Sequence, residues 1–452
     1  TLGVFSKDQN GKKGREKRLK KDFSEYIENR GPSFHPENIT EHVLPQLRLQ
    51  QRDTAEESRS PRPDFDAGTQ RLSWKQRIRH ITWAYFTLTM ATGVPYRFNG
   101  LETIGVIVFL LDLVLYLAIW ALLIIRFYTY PYTFKASFLH PTESLFVPAS
   151  VVSAETIMIN IAQYGLDHTG PWLTDTISIL FWFMAAVAVM FSAGIYLILW
   201  STQTFTIAEM TPIWIFPAYP MLVIGPLAGA LCGKLGPSRS LPTILVGFAI
   251  QGVGFLVSLT VYSAFIYRLM SQKLPKERAR PGMFVSVGPS AFTVAGIMNM
   301  ANGAKRGFPI HFLGNGRLAA SIFKVTVDFA ALWLWGLAIF FFLTAILSHW
   351  TVVSRGRLPF SMNWFSFIFP NTALITATFA VGKAFSSGAI NVIGCVMVFP
   401  LIFMYFFVCI MMIRAVVLKH ILWPQKGEDK DEEGFSTCDG RPGDSPVGHQ
   451  CA

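Results

Sequence analysis

The sequence predicts an all-α membrane protein: ten transmembrane helices, paired as five helical hairpins around a central pore, with the odd helices inner and proline-kinked. Three observations carry that prediction. Ten apolar stretches follow one another between two polar tails. Charged residues make up only 15% of the 452-residue chain, against about 25% in a soluble domain. Every second stretch holds a proline well inside it, Pro95, Pro148, Pro217 with Pro220, Pro289 and Pro370, while the stretches between are uninterrupted or carry proline only near an end, apart from Pro400 in the last. A proline inside a helix removes a backbone hydrogen bond. In hydrocarbon the freed groups must turn to protein or water, so broken helices belong around a wet path and smooth ones outside.

Taken in order, residues 1–80 are polar and basic, with the run Lys12, Lys13, Arg15, Lys17, Arg18, Lys20 and Lys21. Such a block reads as a solvated, disordered tail that an anionic cytoplasmic leaflet attracts. The spans cover roughly 81–96, 101–126, 143–165, 171–200, 209–233, 241–270, 281–304, 319–350, 361–386 and 388–420. Most exceed the ~20 residues that cross a bilayer core. The first is short and polar, as an interior helix shielded from lipid would be. Together residues 81–420 form one transport domain, and 421–452, with Glu428, Asp429, Asp431, Glu432 and Glu433, form a second disordered tail.

Basic residues set the orientation. Arg71, Lys75, Arg77 and Arg79 precede span 1, Arg126 and Lys135 follow span 2, and Arg268, Lys273, Lys276, Arg278 and Arg280 join spans 6 and 7. Arg355 and Arg357 join spans 8 and 9. The positive-inside bias places these loops, and both termini, in the cytoplasm. The net charge of +11 therefore reflects topology, and no nucleic-acid partner is predicted. The five cysteines show no metal or disulfide spacing and read as free thiols. No phosphate-binding loop, metal cluster or cofactor motif appears, and no histidine stands beside a nucleophile, so an enzyme is not predicted.

The odd spans are decorated with small and hydroxyl residues near their breaks: Thr92 in span 1, Thr156 and Asn160 in span 3, Ser286 and Asn299 in span 7, Asn371, Thr372 and Thr376 in span 9. Singly, these serve helix packing. Collectively, neutral donors and freed backbone N–H groups suit an anion better than a cation, which would call for carboxylates. Ionisable residues within spans are costly, which makes each a functional candidate. Lys383 in span 9, with Arg97 and Arg280 flanking spans 1 and 7, can attract a carboxylate; snorkelling is the alternative for Lys383. Glu155 in span 3 is a candidate for proton coupling or for pairing with a buried base. Asp112 and Asp328, on even helices, are expected to pair locally. Phe369, just before Pro370, is placed to plug a narrow pore, or to serve ordinary aromatic packing.

Four stretches resemble a known family. They are Met90-Ala91-Thr92-Gly93 followed by Arg97-Phe98; Thr211-Pro212-Ile213-Trp214-Ile215-Phe216-Pro217; Arg280-Pro281-Gly282-Met283-Phe284 continuing to Pro289, Asn299 and Gly303; and Trp364 through Asn371. Over roughly residues 75–425 the chain resembles the fungal malic acid transporters of the tellurite-resistance/dicarboxylate transporter family, relatives of the slow-type anion channels. The resemblance implies ten helices in five hairpins, a homotrimer, and transport of malate and related dicarboxylates at the plasma membrane. It makes Phe369 the pore-occluding phenylalanine and Arg280 and Lys383 basic positions of the family. The family pattern has no carboxylate at Glu155. Sulfite efflux pumps share the fold, and passive anion conduction is the other alternative it implies.

Overall fold

The computed structural model describes residues 73–93, 102–202, 206–353 and 358–423. The chain divides into units Thr1–Arg71 and Leu72–Ala452, and every described residue belongs to the second. Both predicted tails, apart from a few residues beside the spans, lie outside the described residues, as do Pro95, Arg97, Arg355 and Arg357.

Helices account for nearly all of the described chain, with no β-strand among those residues. A short helix α1 (Trp74–Ile78) and a 3-10 turn (Trp83–Tyr85) lead into α2 (Phe86–Thr92), followed by α3 (Glu102–Thr129) and α4 (Tyr132–Leu139). A 3-10 turn (Ser144–Phe146) precedes α5 (Ala149–Asn160), which ends in a π turn (Ile161–Gly165) before α6 (Pro171–Thr202). The 3-10 segment Pro212–Ala218 opens α7 (Tyr219–Cys232), followed by α8 (Pro237–Gln272). The segment Glu277–Val287 opens α9 (Gly288–Gly307), followed by α10 (Gly316–Val353). Lastly Met362–Phe367 opens α11 (Phe369–Ala384), and α12 (Gly388–Val417) follows. Among the described residues nine stretches, not ten, are long and apolar enough to cross a membrane. The stretch missing from that count is the first: α2 has two turns, all seven of its residues are buried, and 94–101 lie outside the described residues.

Four of the prolines that suggest kinks do not lie in the interior of their helices, although Pro217 sits inside a 3-10 segment and Pro226 inside α7. Pro148 caps α5, and Pro220, Pro289 and Pro370 stand in the first turns of α7, α9 and α11, where tight 3-10 winding gives way to α. A first-turn proline wastes no hydrogen bond, because its N–H would be an orphan there, and its φ is already helical. Nor do the junctions leave N–H groups free for an anion. Val151 N donates to Pro148 O at 3.1 Å, Ile368 N to Phe365 O at 3.0 Å and Thr372 N to Ile368 O at 2.9 Å.

What the prolines do leave is carbonyls, and side chains cap them. Pro289 cannot donate to Val285 O, which accepts from the Gly288 N–H and takes the Tyr219 hydroxyl as a second donor at 2.6 Å; the adjacent Ser286 O accepts from Tyr262 at 2.6 Å. Trp214 O, three residues before Pro217, accepts from Tyr196 at 3.0 Å. Phe367 O, three before Pro370, accepts from Asn371 Nδ2 at 2.8 Å. Buried carbonyls without a partner are expensive, which explains polar side chains at these depths.

The proline-opened helices are the buried ones. The stretch 277–307 is 94% buried in its most apolar part and 212–232 is 83% buried, whereas 316–350 is 22% and 388–417 is 17% buried. In space α2 packs on α5, α5 on α7, α7 on α9, α9 on α11, and α11 returns to α2. The smooth helices α3, α6, α8, α10 and α12 pack on this inner set far more than on one another. Inner and outer sets are joined by a fully buried ion pair: Arg126 of α3 meets Glu143, ahead of α5, at 2.7 Å and also donates to Ile81 O at 2.8 Å. Arg77 lies over the Trp423 ring at 5.7 Å, so the first and last described segments share one side of the molecule.

Candidate functional site: two cavities meeting at Phe369

Two cavities lie among the inner helices. The one toward the side of Arg77 and Trp423 is small, about 20 Å³, and is lined by residues of the 3-10 segments, including Phe216, Val285, Met362 and Ser366. It has room for about one water. The other is about 110 Å³ and lies among the α-helical portions. Its lining falls in stripes at helical spacing: Thr156, Ile159 and Gln163 from α5 and its π turn, Val223, Pro226 and Ala230 from α7, Phe292, Ala295 and Asn299 from α9, and Thr372, Ala373 and Thr376 from α11. Residues three and four apart share one helix face, so each helix presents one stripe inward.

Phe369 lines both cavities, and no other described residue does. Its ring lies 4.8 Å from Phe292 and 6.0 Å from Tyr219, which in turn stacks on Phe216 at 5.1 Å. Tyr219 is held by its bond to Val285 O, so the ring cluster is anchored to the 3-10 segment ahead of Pro289.

The polar lining is less generous than its hydroxyl count suggests. Thr156 donates to Ser153 O at 2.8 Å, Thr372 to Ile368 O at 2.7 Å and Thr376 to Thr372 O at 3.0 Å. A hydroxyl that has given its hydrogen to a carbonyl offers a cavity only lone pairs. Asn299 differs: its side chain lines the larger cavity and makes no hydrogen bond with the described residues. It is therefore a clear amide donor for an anion.

The other sequence-predicted residues are dispersed. Thr92 lines a third cavity of about 350 Å³ between α2, α3, α11 and α12, which Thr372 and Gly93 also line, and bonds to Leu88 O and the Tyr405 hydroxyl at 2.8 and 2.9 Å. Asn371 spends its amide on Phe367 O. Arg280 lines none of these cavities; it donates to Pro275 O at 3.1 Å and Ser348 O at 3.0 Å, latching its 3-10 segment to α10. Lys383 is exposed in the last turn of α11, as Lys305 and Arg306 are in that of α9. Lys234, just past α7, pairs with Asp167 at 2.9 Å. These cations complement helix C-termini, at the end toward which the 110 Å³ cavity extends. Glu155 is fully buried, has no hydrogen-bond partner, and lines none of the cavities. Asp328 pairs with Lys324 as expected, at 2.6 Å. Asp112 does not pair: neither carboxyl oxygen has a hydrogen-bond partner. Sequence reasoning missed Gln163, Phe292 and Tyr219. The spacing 156–159–163 on one helix face was the signal available for Gln163.

A multi-pass helical protein whose buried inner helices enclose small cavities, lined by neutral polar groups, defines a membrane transport protein. Comparison with known proteins specifies the kind. The voltage-dependent anion channel (SLAC1) family model matches residues 80–413, and the chain belongs to this family. It is 32% identical over 376 residues to a malic acid transport protein of Schizosaccharomyces pombe, covering 81% of this chain and 85% of the relative. A putative malic acid transport protein of the same organism is 30% identical, with 80% and 85% coverage. A sulfite efflux pump, SSU1, of Trichophyton rubrum is 28% identical over 325 residues, with 70% and 84% coverage. Anion transport across a membrane is thus the activity of this chain's family.

Proposed function

We propose that this chain carries malate and related four-carbon dicarboxylates across the plasma membrane, along a path enclosed by ten helices in five hairpins and closed by the ring of Phe369. The observation that carries the reading is that Phe369, alone among the described residues, borders both cavities along the inner helices. Moving one ring joins them. Asn299 offers the anion an amide donor, Thr372 lies one turn beyond the gate, and Lys383 with Lys305 and Arg306 supplies positive potential where the inner helices end. The malic acid transport relatives favour dicarboxylate over sulfite as the cargo. Both termini are assigned to the cytoplasm, the assembly to a homotrimer, and Arg97 to the approach of the anion. The family's description favours a second reading, passive gated conduction.

Labelled malate uptake into proteoliposomes, competed by succinate, tests the substrate; sulfite flux without dicarboxylate flux would reject it. Currents that reverse at the anion equilibrium potential whatever the pH gradient would select the passive reading. Replacing Phe369 by Ala is expected to raise basal flux about tenfold, a barrier change of about 1.4 kcal/mol. Unchanged or lower flux in folded protein removes the gate.

A further inference from the structure

Asp112 lies on α3, an outer helix, yet its side chain turns inward. The residue is completely buried, and neither oxygen has a hydrogen-bond partner. A methyl group placed on Gly93, at the end of α2, would lie 2.5 Å from Asp112 Oδ2 and 3.2 Å from Thr156 Oγ1. The carboxyl therefore occupies the space that a glycine leaves open. Gly93 lines both the 110 Å³ and the 350 Å³ cavities, and Thr156 lines the first. A buried carboxyl without partners thus stands directly behind the wall of the larger inner cavity.

The surrounding groups narrow what it can bind. Tyr405, itself in contact with Cys409, approaches from α12, Tyr116 shares the Asp112 face of α3, Tyr164 meets that face at Gly105, and α5 carries Glu155. These are phenols, a thiol and a second carboxyl, with no lysine or arginine among them. No group of three or more metal-ligating side chains exists among the described residues, and hard cations require six or more oxygens. A proton requires one.

We propose that Asp112 is a proton-binding site linked to anion occupancy of the 110 Å³ cavity. This rests on the anion-transport reading above and names its coupling group, in place of Glu155. One proton leaves cavity water for a carboxylate oxygen, taking the side chain from −1 to neutral, and returns to water on release. A charged carboxylate behind the wall repels an anion near Asn299, and across low-dielectric protein that repulsion is strong. The proton removes it. By linkage, proton and anion favour each other's binding by the same factor.

The test is labelled malate uptake into proteoliposomes with an imposed pH gradient and no malate gradient, for the unmodified chain, Asp112→Asn, Asp112→Glu and Glu155→Gln. The unmodified chain is expected to accumulate malate. Asp112→Asn is expected to lose that accumulation at least about tenfold, and Asp112→Glu to retain it with a displaced pH profile. Should the Asn variant not fold, the Glu variant decides, since an unmoved profile overturns the proposal. Loss in Glu155→Gln but not in Asp112→Asn also overturns it, as does malate exchange by the unmodified chain that ignores the pH gradient. Absence of any malate movement by the unmodified chain overturns the substrate reading with it.

Discussion

The inner and outer helices face different solvents and solve the backbone problem differently. The outer helices α3, α6, α8, α10 and α12 run as single α-helices of 28 to 38 residues, interrupted only by one proline each in α8 (Pro242) and α12 (Pro400), and show lipid their apolar side chains. The inner helices change winding partway, open on prolines, and rely on distant side chains for carbonyls that the change leaves over. Irregular backbone at membrane depth is tolerated only where protein or cavity water can satisfy it. The teaching is that the prolines mark side-chain-capped junctions, repeated in α7, α9 and α11. Phe369 stands at one such junction.

If that contrast is right, the heaviest penalty lies where the two sets are tied together. Glu143→Ala removes the partner of a fully buried arginine, Arg126, and breaking a buried pair in this way costs about 3–5 kcal/mol. Chemical denaturation in detergent is expected to show the loss, with Glu143→Gln intermediate because it retains an acceptor for the guanidinium. A penalty below about 1 kcal/mol would mean that solvent reaches the pair and that the inner–outer tie is weak.

Next in size is a single cap. Tyr219→Phe removes one of two donors to Val285 O, the other being the Gly288 N–H, and losing such a hydrogen bond costs about 0.5–1.5 kcal/mol. The discriminating variant is the double one. Pro289→Ala restores a backbone N–H one helical turn beyond Val285, so Tyr219→Phe with Pro289→Ala is expected to recover much of the stability. Additive losses would instead show that the Tyr219 hydroxyl acts independently of the N–H that Pro289 lacks. A double-mutant cycle reads this directly.

How much of this was legible in the sequence follows the same division. Apolar runs revealed all nine described spans, because outer helices face lipid and inner ones pack in a buried core, and both demand apolar side chains. Alternating prolines separated inner from outer helices, but suggested kinks where the structure has 3-10 to α junctions. A proline in the first turn and one in mid-helix look alike until the helix start is known. The stretch Thr372, Thr376, Thr156 read as a donor-rich lining, yet each hydroxyl is spent on the carbonyl one turn or less behind it. Local back-bonding of this kind carries no pattern distinct from a polar stripe. Asp112 was assigned to local pairing because it lies on an outer helix; the direction of a side chain depends on rotation about the helix axis, which a uniformly apolar helix such as α3 does not reveal. Phe369 was singled out by its place beside Pro370 and lines both cavities, whereas Phe292 and Tyr219, which flank it, come from segments 77 and 150 positions away and carry no local mark.

The smallest expected effects lie on the outermost surface, and they sharpen the comparison from the other side. Trp333 of α10 is 81% exposed and Phe403 of α12 is 71% exposed. Lipid tails are as apolar as the side chains, so no hydrophobic gain ties such residues to the fold. Trp333→Ala and Phe403→Ala are each expected to alter stability by less than about 0.5 kcal/mol, and to leave malate flux unchanged. An outer face that touches a second copy of the chain behaves differently, because truncating a packed aromatic there removes contacts that lipid replaces poorly. Comparing the two variants by denaturation and by the mass of the detergent-solubilised particle therefore separates lipid-facing from subunit-facing surface. A cost above about 1 kcal/mol together with a smaller particle, for one variant only, would locate the subunit contact on that helix. Equal, negligible effects would leave both helices facing lipid, and the inner junctions as the region that carries the architecture.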